Sequence, residues 1–125
     1  MSDKILFRCD AGYESQLGTG HLIRSITIAK ILLKKFKVKK KNILFLIKTE
    51  KKYSLGKKII NYEKFKYKSI HYKIKDYSLN ELKELKKNKF KVVIFDRLGK
   101  INLRFVKELK KDQKKIVCLD DESKN

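Results

Sequence analysis

The 125 residues include no proline, no tryptophan and only two cysteines. Cys9 and Cys118 each sit inside an apolar run, with no CxxC pair and no Cys/His cluster. That argues against a disulfide framework and against a zinc site. The two read instead as buried thiols in a reducing cytoplasm. No apolar run approaches the roughly 20 residues of a membrane span. No signal-peptide pattern opens the chain, because charged residues surround its first apolar run. Acid is also scarce: 14 Asp and Glu stand against 34 Lys and Arg, a net charge of +20. Such a balance invites a nucleic-acid partner. Only Arg8, Arg24, Arg97 and Arg104 are arginine, however, and the lysines are spread over nearly every segment. Arginine is the usual residue for bidentate phosphate and base contacts, so its scarcity weighs against nucleic acid. A composition bias that places lysine at solvated positions is the favoured explanation. A basic surface that draws anionic sugar nucleotides, or makes a peripheral contact with anionic lipid, stays open.

What is present is an alternation of apolar runs and helical patterns. Residues 4–10 (KILFRCD), 42–47 (NILFLI), 67–74, 91–96 (KVVIFD) and 116–119 (IVCL) read as strands. From His21 to Phe36, Leu22, Ile26, Ala29, Leu33 and Phe36 recur at helical spacing, and Ile23, Ile28, Ile31 and Leu32 widen that face. This predicts a deeply packed helix. Residues 50–62 read as helical, with Gly56 weakening the pattern. Ser78 and Glu81 have capping-box spacing ahead of a helix whose apolar face is Leu79, Leu82 and Leu85. Asn102 can cap a last helix carrying Leu103, Val106 and Leu109. Strands alternating with helices predict one α/β domain over residues 1–125. It should be a Rossmann-like parallel sheet with helices on both faces and strand order 3-2-1-4-5. His71, in an alternating strand, and the tyrosines Tyr62, Tyr67, Tyr72 and Tyr77 are assigned to structure and packing.

Ligands of such sheets bind at the C-terminal ends of the strands. That rule selects the segment from Asp10 to Arg24, together with Asp96 and the Asp120–Asp121 pair. Gly18-Thr19-Gly20-His21 opens a helix. Gly18 and Gly20 allow positive φ and close backbone approach, and the helix N-terminus suits an anion. No Gly-Lys-Ser/Thr follows, so this is not a P-loop. Ile23 stands where the third glycine of a dinucleotide fingerprint belongs. The helix N-terminus disfavours a charged imidazolium at His21, and a neutral imidazole can act as a general base on water. Arg24 could fix a carboxylate such as Asp10 or Asp96, or meet a phosphate. From these residues alone, a catalytic His21 and a merely helix-opening His21 weigh about evenly. Asp10 reads as a loop-ordering carboxylate ahead of a substrate ligand. Asp96 and Asp121 serve either the site or the strand ends.

Taken together, LFRCD at residues 6–10, GTGHLIR at 18–24, VVIFD at 92–96 and LDDE at 119–122 resemble a known family. It comprises the UDP-2,4-diacetamido-2,4,6-trideoxy-β-L-altropyranose hydrolases of pseudaminic acid biosynthesis and the similar spore-coat polysaccharide proteins. The resemblance runs over nearly the whole chain. It implies the N-terminal half of a GT-B-like architecture and a cytoplasmic enzyme that cleaves the anomeric C–O bond of a UDP-sugar, releasing UDP and free sugar. His21 matches the family histidine that activates water. Asp10, Gly18, Thr19, Gly20, Arg24, Asp96 and Asp121 fall at substrate-binding positions. No metal and no cofactor are implied. The UDP-binding half of such enzymes is a C-terminal domain, expected here to be missing from the chain or supplied by a partner. One departure stands out: Leu98 occupies a place where the family has an aromatic, often tyrosine. It favours, with the basic surface, the alternative of a GT-B glycosyltransferase acting at the membrane surface; the end of the sequence just after the fifth strand favours another, a split or inactive half.

Overall fold

Each of the five apolar runs becomes a strand, and each intervening periodic segment becomes a helix, in a computed structural model that describes residues 4–12, 18–97 and 101–119. In chain order the elements are β1 (Ile5–Cys9), α1 (Gly20–Lys35), β2 (Ile43–Lys48), α2 (Ser54–Glu63), β3 (Lys66–Ile70), α3 (Leu79–Lys86), β4 (Val92–Asp96), α4 (Leu103–Lys111) and β5 (Lys115–Leu119). The strands form one sheet in the order β3-β2-β1-β4-β5, parallel throughout. This is an α/β Rossmann-like fold with the predicted order. No helix among the described residues is long and apolar enough to cross a membrane.

Alternation along the strands divides the core in two. Phe7, Cys9, Phe45, Ile47 and Ile94 face one side, where Leu22, Ile26 and Ala29 of α1 and Ile60 of α2 cover them. Leu6, Leu46, Val93 and Phe95 face the other, beneath Leu82 and Leu85 of α3 and Phe105 and Leu109 of α4. The rings of Phe7 and Phe45 stack 4.8 Å apart across β1 and β2, an aromatic pair adding to the area term. Gly56 faces the sheet from α2, with room for a β-carbon. A β-carbon there would stand 3.5 Å from the Ile47 side chain and 3.8 Å from the Ala11 backbone.

Several expectations change in the structure. The helix α1 is buried on one face only: Ile23 and Ile31 are exposed, as is Phe36 just past its end. A helix lying on one sheet face has a solvent side whatever residues it carries, so apolar positions widening the stripe do not bury it further. Leu79 is likewise exposed, because it opens α3 ahead of the turn that meets the sheet. The third strand ends at Ile70 rather than Ile74. A turn follows, in which the Ile74 N–H donates to the His71 carbonyl and the Lys73 N–H to His71 Nδ1. His71 is therefore an exposed turn residue stacked on Tyr72. Tyr77 packs on Phe95 and Phe105, whereas Tyr62 is exposed. Cys9 is buried as expected, but Cys118 is exposed, since β5 is an edge strand with thin cover.

Candidate functional site

The C-terminal ends of β1, β2 and β4 lie side by side. Cys9 pairs in register with Asp96, and Arg8 with Leu46. From this edge the chain leaves β1 through Asp10, Ala11 and Gly12. It re-enters at Gly18, whose carbonyl accepts from the Gly12 N–H at 2.9 Å. Gly18 has φ 54, the left-handed conformation glycine adopts most easily. Thr19 is the N-cap of α1, but its side chain makes no capping bond, and the first turn carries no acid. The amides of such a turn carry a partial positive charge that favours an anion. Gly20 behaves differently from the expectation. It is already helical, without positive φ, and a β-carbon there would meet nothing within 4 Å.

Asp96 organises the site. Its carboxylate is fully buried at the end of β4. His21 Nδ1 lies 2.9 Å from Oδ1. Arg24 Nε donates to Oδ2 at 2.9 Å, and its terminal nitrogen reaches Oδ1. Ser25 Oγ donates to Oδ2 at 3.2 Å. A carboxylate only accepts, so Nδ1 carries a proton in this contact and its N–H is directed at Asp96. One face of the first two turns of α1 is therefore fastened to β4 through three residues, at positions 21, 24 and 25. The His21 side chain keeps 18% of its surface exposed, so the ring is held yet reachable. Of the two roles open to Arg24, the structure gives the carboxylate clamp, on Asp96 rather than Asp10.

Asp10 is occupied structurally. Its Oδ1 accepts from the Lys48 backbone N–H at 2.8 Å and lies 3.0 Å from Arg8. Asp121 and Leu98 lie outside the described residues. Among the described residues, no group of three or more His, Cys, Asp or Glu side chains gathers as a metal site.

On the other face of the sheet lies a cluster that the sequence reading missed. Glu81, expected only as a helix cap, is fully buried and binds two arginines. Arg8 Nε donates to its Oε2 at 2.8 Å, and Arg97 reaches Oε2 at 2.5 Å and Oε1 at 2.6 Å. Oε1 also accepts from the Tyr77 N–H. The Arg97 guanidinium lies over the Tyr77 ring, 4.0 Å from its centroid. Burial alone would raise the Glu81 pKa, but the Arg97 hydrogen bonds and the charges of Arg8 and Arg97 outweigh it and hold the carboxyl below its usual range. Burial would likewise lower the Arg8 pKa, and Asp10 and Glu81 reverse that. An arginine inside the apolar strand ILFRC was the available signal, since a buried arginine needs a buried acid. Nearby, Lys48 is buried at the end of β2 with its ammonium 4.9 Å from the Tyr53 ring centroid. Desolvation lowers its pKa.

No protein-family model, no curated protein and no solved structure matches this chain. The site therefore has to be read from its own geometry.

Proposed function

We propose that the chain carries the water-activating part of a nucleotide-sugar hydrolase, acting on the anomeric C–O bond of a UDP-linked diacetamido-trideoxy sugar. The observation that supports the reading most is the His21–Asp96 contact beside an uncapped helix N-terminus. A buried carboxylate that holds Nδ1 leaves Nε2 as the ring nitrogen able to meet a substrate, as a general base must. In this reading the diphosphate approaches the first turn of α1, and Nε2 takes a proton from water. The water oxygen bonds to the anomeric carbon while the C–O bond to UDP breaks. The bonding pair leaves with UDP, and the sugar configuration inverts. Arg24 and Ser25 act through Asp96: they hold its carboxylate so that the ring cannot turn.

The sugar and the nucleotide rest on the sequence resemblance, and a second reading uses the same geometry. A glycosyltransferase would have His21 deprotonate an acceptor hydroxyl at an anionic membrane surface, consistent with the +20 charge. One assay separates the two. UDP release from the UDP-sugar is followed with the chain, alone and with any separate UDP-binding domain, with and without acceptor. The hydrolase reading expects release in water alone, and His21→Ala should lower it by about 10²- to 10⁴-fold with the fold intact. Release only on adding acceptor would favour the transferase. A His21→Ala protein with most of its activity would overturn both.

A further inference from the structure

At the opposite edge of the sheet, where the parallel strands begin, is a concavity of about 320 Å³. Lys4, Lys41, Lys66, Lys68, Lys87 and Lys89 line it, and among the described residues no Asp or Glu does. Lysine supplies six of its thirteen lining residues, whereas Lys and Arg together make up 34 of 125 in the chain. The fold thus gathers what the sequence spreads out. Lys4, Lys41, Lys66 and Lys68 precede or belong to β1, β2 and β3, and Lys87 and Lys89 follow α3. All six are exposed. Lys87 pairs with Glu84, and the other five make no ion pair among the described residues. Asn42, Asn88, Leu44 and Phe90 are also in its lining.

We infer that this concavity is an anion site for a compact ligand bearing several phosphate groups, separate from the His21 site. Lysines gathered around one hollow repel one another and raise a positive potential there, which a polyanion relieves. The volume falls at the small end of ligand pockets, roughly 300–1,000 Å³, and suits a short chain of phosphates rather than a duplex. Lysines act as point charges without the fork geometry that reads a base or fixes one carboxylate, so the phosphates themselves are what is recognised. A strand rises about 3.3 Å per residue, so the five residues of β1 put this site roughly 15 Å from the His21 edge. The inference does not depend on the proposed hydrolase activity.

Calorimetric titration of the full chain with inorganic tripolyphosphate, and in parallel with a nucleoside triphosphate, tests it. Both should bind at low ionic strength and weaken steeply toward about 1 M salt, where the Debye length is about 3 Å. The tighter of the two identifies free polyphosphate or nucleotide as the source. The K66Q/K68Q double variant should lose about tenfold or more in affinity. K107Q/K110Q, which removes the same charge from exposed positions of α4, should lose little, and His21→Ala nothing. No binding, or equal losses from the two lysine pairs, would overturn the site in favour of diffuse net charge. Tighter binding of duplex DNA than of tripolyphosphate through Lys66 and Lys68 would also overturn it.

Discussion

His21 and Asp96 are 75 positions apart in the chain and 2.9 Å apart in space. The contact exists because β4 lies beside β1 and ends level with it, at the point where the chain turns into α1. Asp96 then serves as the common acceptor for the first two turns of the helix. Asp96→Asn should keep the sheet but change the hydrogen-bond pattern, since an amide offers donors where Arg24 and Ser25 also donate. In an active preparation we expect kcat to fall by about 10²- to 10⁴-fold with a smaller change in KM. Unchanged kcat would remove the positioning role of Asp96.

The Arg8–Glu81–Arg97 cluster predicts how stability responds to acid. The Glu81 pKa is held down in the folded chain, so its contribution is present above about pH 4.3, the ordinary glutamate value, and is lost as pH falls below it. Glu81→Gln should destabilise by about 3–5 kcal/mol at neutral pH, because two buried guanidinium groups lose their counter-charge. Urea melts of the two proteins should converge as pH falls toward 3. A gap that stays constant would contradict the assigned linkage.

Gly56 sits inside α2 without positive φ, and the contacts a β-carbon would make there lie between 3.5 and 3.8 Å, ordinary packing distances. Helical glycine costs about 1 kcal/mol relative to alanine. Gly56→Ala should therefore stabilise the chain by about 0.5–1 kcal/mol, seen as a higher Tm. A lower Tm would mean that α2 cannot yield even a few tenths of an ångström.

The two thiols should react differently. Burial, then the Asp10 charge, pushes the Cys9 thiol up to about 12, whereas Cys118 is exposed. Iodoacetamide near pH 8 should modify Cys118 in the native chain and Cys9 only on unfolding, as peptide mass mapping would reveal. A thiol held protonated in the fold also withdraws stability as pH rises above about 8.5, where the unfolded thiol ionises. Alkaline melts of Cys9→Ala should be flatter than those of the parent.

The sheet order, the helix opening at Gly20-His21 and the seat of Asp96 at the end of a strand were legible because they follow from periodicity and from the handedness of βαβ crossovers. The partner of Arg24 was left open between Asp10, Asp96 and a phosphate, since the choice depends on which way each acid turns at its strand end: Asp10 turns to Arg8 and the Lys48 N–H, Asp96 to α1. The role of Glu81 was hidden for a related reason. Its spacing from Ser78 already explained it locally, and Ser78 does cap its backbone, while its ion partners lie 73 and 16 positions away. The exposure of Ile23, Ile31 and Cys118 followed from where the cover of the sheet ends, which no local pattern encodes.

The two outermost strands, β3 and β5, each begin with an exposed lysine, and β3 carries a second at Lys68. An open strand edge is a template onto which another copy can add a strand, and lysines along it make that addition repulsive. The lysines that build the phosphate-sized hollow thus also keep neighbouring molecules from zipping together edge to edge. Filling the hollow with a polyanion, or replacing Lys66 and Lys68 by neutral residues, would weaken that repulsion and favour strand addition at the open edge.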